Sequence, residues 1–195
     1  MHMQRREGGK RMNAKGKLIG ILVLSSVLVI LLYIFFHECG HLIVMLSAGT
    51  RIEEFSILTA HVSGHGGNYT ESTELWLHAN GALFPLFLSY FYVLIYNSRS
   101  CNAFYRIFSF FIALVPLGSM LAWVVIPVLY LFQEAPRGDD VTLFLDHFSR
   151  YGSPVFVSIG ALLLIAFGVF LMVKKRVLQN YIDTVAELRP LPDSR

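Results

Sequence analysis

The sequence predicts an all-α polytopic membrane protein: about four transmembrane helices, with a short strand-containing loop after the first. Three features carry that prediction. Of the 195 residues, 55% are hydrophobic, and the mean hydropathy is +0.57. Charged residues make up only 15%, against about 25% in soluble domains. The apolar residues also gather into runs over 18–48, 75–96, 104–132 and 154–173, each long enough to cross a hydrocarbon core that needs about 20 residues of helix. The spans leave no room for a second sizeable domain, so 18–176 reads as one transmembrane unit between a basic tail, 1–17, and a second tail, 177–195. A net charge of +3, scattered along the chain, offers nucleic acid no patch to bind. The partner that composition implies is the lipid bilayer.

The first run, Leu18 to Phe36, covers about 29 Å at 1.5 Å per residue, so whatever follows it lies near the far leaflet. It is longer than the apolar core of a signal peptide and lacks a small-residue cleavage site, so it reads as a retained span. Leu42 to Ala48 stays apolar and Gly49 is a natural helix stop. From Thr50 to Glu74 the chain is polar and rich in glycine. Glycines argue against helix there, and Glu54 to Val62 alternates in the manner of a short strand leading to a turn. His61 and His65 are spaced by four, but Gly64 and Gly66 interrupt any helical pairing and leave them as polar loop residues.

Leu75 to Tyr96, the second span, carries His78, Asn80, Gly81 and Pro85, and a short connection with Arg99 and then Arg106 follows. Phe104 to Phe132 contains Pro116, Gly118 and Pro127 and reads as one bent helix, with a tight re-entrant pair as the alternative. Gln133 to Ser153 is polar and acidic, and Pro154 to Val173 is the last span, closed by Lys174, Lys175 and Arg176. The basic clusters, at Arg5, Arg6, Lys10, Arg11, Lys15 and Lys17, at Arg99 and Arg106, and at 174–176, recur at every second membrane crossing. The positive-inside rule therefore predicts a multi-pass protein of the cell membrane with both termini cytoplasmic. On the other side it gathers the end of span one, the loop 50–74, the polar start of span two and the acidic stretch 133–153.

The chemistry lies where the first run ends, at His37-Glu38-Cys39-Gly40-His41. On a continuous helix, residues four apart sit about 40° from each other around the axis, so the two imidazoles point the same way, with Glu38 about 60° from His41. That is the arrangement in which two histidines hold a metal ion and a neighbouring carboxylate takes a proton from water. Ionisable groups at the end of an apolar helix are costly to desolvate unless something binds them. Cys39 points away from the pair, and with Cys101 placed on the opposite side no disulfide framework is expected.

Two histidines do not complete a catalytic zinc site, which takes three protein ligands. Asp139 and Asp140, in Gly138-Asp139-Asp140, are the best source of the third, being acidic, on the correct side and just before the apolar stretch Val141 to Phe148. Either residue serves at this level, and paired aspartates after Pro-Arg-Gly are also ordinary turn or helix-cap chemistry. Glu134, Asp146 and His147 are weaker candidates. Asn80, at the start of span two on the same side, is placed either to donate to a substrate carbonyl or oxyanion, or simply to pack.

The stretch His37 to Leu42, with Gly49 and Arg51-Ile52-Glu53-Glu54-Phe55 after it, resembles the zinc helix and following strand of the site-2 protease family of intramembrane metallopeptidases. Gly66-Gly67 and Asn80-Gly81 resemble that family's loop and second-helix motif more weakly, and its Asn-Pro-Asp-Gly and Leu-Asp-Gly motifs have no counterpart. The resemblance implies Zn2+ as cofactor, His37 and His41 as ligands, Glu38 as catalytic acid/base and a later aspartate as third ligand. The expected function is therefore a zinc metalloprotease hydrolysing peptide bonds of membrane-spanning or membrane-anchored protein substrates. The alternative is a membrane metal-binding or metal-transport protein that uses the same histidines without hydrolysis.

Overall fold

The computed structural model describes residues 2–189, with side chains from residue 15 onward. The side chains of Arg5, Arg6, Lys10 and Arg11, and everything after 189, lie outside the described residues. Helix α1, His2–Ser47, is continuous through the histidine motif. It ends where Gly49 adopts φ +83°, a left-handed conformation that costs glycine least, and the Gly49 N–H donates to the Leu46 carbonyl. The strands β1, Thr50–Ser56, and β2, His61–Gly66, then pair antiparallel. Glu54 to Val62 is thus not one strand: it straddles the tip of a hairpin, and Phe55 lies opposite Val62.

Helix α2, Glu71–Ile95, starts at Thr70, whose hydroxyl accepts from the Thr73 N–H, and passes through Pro85. Helix α3, Ala103–Leu131, runs unbroken through Pro116 and Pro127, so the long apolar run is one span rather than a re-entrant pair. A short helix α4, Asp140–Phe148, follows, then α5, Pro154–Lys174. Arg176, at φ +60°, turns the chain into α6, Val177–Leu188, an amphipathic helix that folds back onto α3. The Asn180 amide donates to the Tyr96 hydroxyl and the Ser98 carbonyl, so the tail begun at 177 is tied to the α2–α3 connection.

Four helices are long and apolar enough to cross a membrane: Lys15–Ser47, Glu71–Ile95, Ala103–Leu131 and Pro154–Lys174. Their outward faces carry Val23, Leu24, Phe91, Leu121, Leu163 and Phe170, all exposed. Water would not tolerate so much apolar surface, and lipid does, which marks the chain as a membrane protein. Helix α3 is the hub, packed against α1, α2, α4, α5 and α6. The core around it is built from Leu86, Ile107, Met120 and Leu145, all essentially inaccessible.

Candidate metal centre

At the crossing of α1 and α2 the helices touch backbone to backbone. A Cβ on Gly40 would fall 2.2 Å from the Asn80 carbonyl oxygen, and one on Gly81 would fall 2.5 Å from His41 Nε2. Glycine at both positions lets the second span lie directly over the histidine motif, the small-residue logic of helix packing in membranes. Asn80 then donates from Nδ2 to the Gly40 carbonyl at 2.8 Å. His41 Nδ1 lies 2.8 Å from the Leu77 carbonyl. A carbonyl only accepts, so Nδ1 carries a proton, and in the neutral ring it is Nε2 that keeps its lone pair.

That lone pair is one of three that converge. His37 Nε2 and His41 Nε2 are 3.1 Å apart, and Asp140 Oδ2 lies 3.2 Å from the first and 3.3 Å from the second. A tetrahedral zinc ion with bonds of about 2.0–2.1 Å has edges of about 3.3 Å between its ligands. The three atoms therefore form one face of such a tetrahedron, and His37, His41 and Asp140 are a possible metal-binding group. The donor chemistry fits as well, since two imidazoles and a carboxylate suit a borderline divalent ion. His37 Nδ1 is buried and finds no hydrogen-bond partner among the described residues.

Asp140 reaches this point because Asp139 does something else. The Asp139 side chain accepts from the Val141 N–H at 2.9 Å and caps α4, which makes Asp140 the first helical residue. The helix is pinned by the buried Val141 and Leu145 and packs on α2 and α3. Burial alone would raise the Asp140 carboxyl, but the imidazoles of His37, His41 and His78 outweigh it and hold the group well below the usual carboxylate range. It therefore meets the histidines as a carboxylate.

Glu38 is 4% exposed, the only buried carboxylate or basic side chain among the described residues. The unbroken helix sets it about 60° around the axis from His41. An apolar groove of about 280 Å3 runs between α1, α2 and α3, and the Tyr33 ring in its wall lies 5.9 Å from the His37 ring. It is lined by Tyr33, Phe36, Pro85 and Pro116, with Phe36 adjacent to His37. The hairpin is tied in from the other direction, the Phe35 and Phe55 rings meeting edge to face at 6.0 Å.

Of the residues singled out in the sequence, His37, His41 and Asp140 come together with Glu38 beside them. Asp139 is drawn off as a cap, and the Asn80 amide is engaged with the Gly40 carbonyl. His61 is exposed on β2, His65 pairs with Glu53 at 2.8 Å, and Asp146 accepts from the Tyr130 hydroxyl. His78, one of the polar residues near the start of span two, is a neighbour of the site, its Nδ1 3.6 Å from Asp140 Oδ1. The signal for this in the sequence was its place one turn after Glu74 on the same helix face. Comparison with protein-family models, curated proteins and solved structures finds no match for the chain.

Proposed function

We propose that the chain is an intramembrane zinc metalloprotease of the site-2 protease type, acting on peptide bonds of membrane-spanning or membrane-anchored proteins. The observation that carries this reading is the face formed by His37 Nε2, His41 Nε2 and Asp140 Oδ2, with edges of 3.1, 3.2 and 3.3 Å, and the buried Glu38 beside it. When bound, zinc supplies a Lewis acid that polarises the scissile carbonyl and acidifies water. Glu38 is the base that accepts the water proton and the acid that passes it to the leaving amine. Asn80 positions rather than reacts, its bond to the Gly40 carbonyl fixing the α1–α2 crossing.

The apolar groove along Tyr33 and Phe36 supports a substrate that arrives through the bilayer. A transmembrane helix hides its amides in its own hydrogen bonds, so it must unwind before cleavage. The two-stranded hairpin leaves open edges on which an extended segment can pair. The charge pattern supports a cell-membrane orientation with the metal end outside and both termini cytoplasmic. Lys17, Cys101, Asn102 and Thr184 line one hollow at the end away from the metal, where Arg99, Arg106 and Lys174 to Arg176 also lie in sequence.

The test is to purify the wild type and Glu38→Gln, measure their zinc, and offer both a panel of single-span substrates. Glu38→Gln is expected to keep its zinc and lose cleavage by about 10²- to 10⁴-fold, the usual contribution of a general acid/base. A Glu38→Gln variant that cleaves normally, or a wild type that binds zinc and cleaves nothing in the panel while moving metal across vesicles, would replace the protease with a metal-binding or transport protein.

A further inference from the structure

Beside the first site lies a second group that the proteolytic reading does not use. Glu74 and His78 are one turn apart on α2, with Glu74 Oε2 3.8 Å from His78 Nε2. His147 comes across from α4, its ring near-parallel to that of His78 at 6.3 Å and 19°. One ligand atom from each of the three residues falls within 4.8 Å of the others. All three side chains are partly buried.

The His78 ring faces a carboxylate at each nitrogen, Asp140 Oδ1 from Nδ1 at 3.6 Å and Glu74 from Nε2. A neutral imidazole has one N–H. With Nδ1 turned to Asp140, Nε2 presents its lone pair toward the Glu74 carboxylate, which only accepts, and toward His147, whose neutral ring also keeps one unprotonated nitrogen. One carboxylate and two imidazole nitrogens brought within 4.8 Å of one another from two helices are a donor set that a cation can bridge. The pattern also matches that of a metal-bound histidine, which turns its other N–H to a carboxylate. Here the carboxylate that His78 Nδ1 faces, at 3.6 Å, is the Asp140 oxygen left over from the first site.

We infer that Glu74, His78 and His147 form a second site for a borderline divalent cation of the zinc class, stapling α2 to α4 and through His78 holding Asp140 in place. Two imidazoles and one carboxylate exclude magnesium and calcium as preferred occupants. An edge of about 3.3 Å in a zinc tetrahedron is shorter than the separations found here. Binding therefore draws in the outer side chains, Glu74 and His147, while His78 stays between its partners. The helices are already clamped nearby, since the Glu71 carboxylate accepts from Arg150 and from the Tyr151 hydroxyl.

The full chain, loaded with zinc in detergent and desalted, is expected to hold two zinc ions. His147→Gln should hold one, and so should His37→Gln, each losing a different ion. His147→Cys should restore the second and, loaded with cobalt(II), give the near-ultraviolet thiolate-to-cobalt charge-transfer band. With the staple missing, first-site zinc affinity should fall about 10- to 100-fold, as for outer-shell partners generally. A wild type that holds a single zinc ion, removed by His37→Gln and untouched by His147→Gln, overturns the inference. So does a folded His147→Cys with no such band. Neither result bears on Glu38, so the second site can fail while the peptidase reading stands.

Discussion

At Gly40 a methyl group meets the Asn80 carbonyl oxygen at 2.2 Å and the carbonyl carbon at 2.7 Å. Both are backbone, so no side chain can swing aside. Restoring ordinary contact, about 3.5 Å between carbon atoms, means parting the helices by about 1 Å. Metal sites tolerate displacements of about 0.2 Å, so the separation outweighs anything a rotamer change can absorb. Gly40→Ala is therefore expected to keep its helical content, lose about 1–3 kcal/mol of stability and lose first-site zinc. Gly81→Ala should do the same by a shorter route, since its Cβ would press on the His41 and His37 rings themselves. Zinc content per chain and thermal unfolding in detergent check both. A Gly40→Ala protein with full zinc would show the crossing to be less rigid than these contacts require.

At the scale of elements, α4 decides which aspartate is free. Asp139→Ala removes a cap worth about 1 kcal/mol and should loosen α4 while leaving zinc bound. Asp140→Ala should abolish first-site zinc, leaving two imidazoles without a third ligand. Zinc counted in the His147→Gln background keeps the second site from masking the difference, and equal zinc loss in both variants would mean that α4 has to be intact for either aspartate to serve.

The sequence left Asp139 and Asp140 open because both are acidic and adjacent, and what separates them is the first residue of a helix, the boundary that pattern reading places least well. The spans and the His37–His41 pair were legible because periodicity and four-residue spacing are local properties of one helix. The hairpin tip was not, since Ile57 to Ala60 contains none of the usual turn residues and Ala60 takes φ +47° without being glycine. His147 was illegible for a different reason: only the packing of α4 on α2 brings it to Glu74 and His78, and no spacing in the chain encodes that distance.

For the whole molecule, the histidine motif and the basic residues lie at opposite ends of the long helices, and the chain carries its own reporters of which end faces which side. Cys101 is exposed in the connection between α2 and α3, and Cys39, part-buried in α1, is the only other thiol. Replacing Cys39 with serine leaves Cys101 alone at the basic end. Adding Thr59→Cys and removing Cys101 puts a single thiol at the exposed hairpin tip instead. The acidic residues Glu53, Glu54, Glu71, Glu74, Asp139 and Asp140 gather on the hairpin, the start of α2 and the start of α4, whereas Lys15, Lys17, Arg99, Arg106 and Lys174 to Arg176 mark the far ends of the spans. Insertion retains the basic ends in the cytoplasm. With an impermeant maleimide on intact cells, the hairpin thiol is therefore expected to label at once, and Cys101 only after lysis. The reverse pattern would place His37, His41 and Asp140 on the cytoplasmic face.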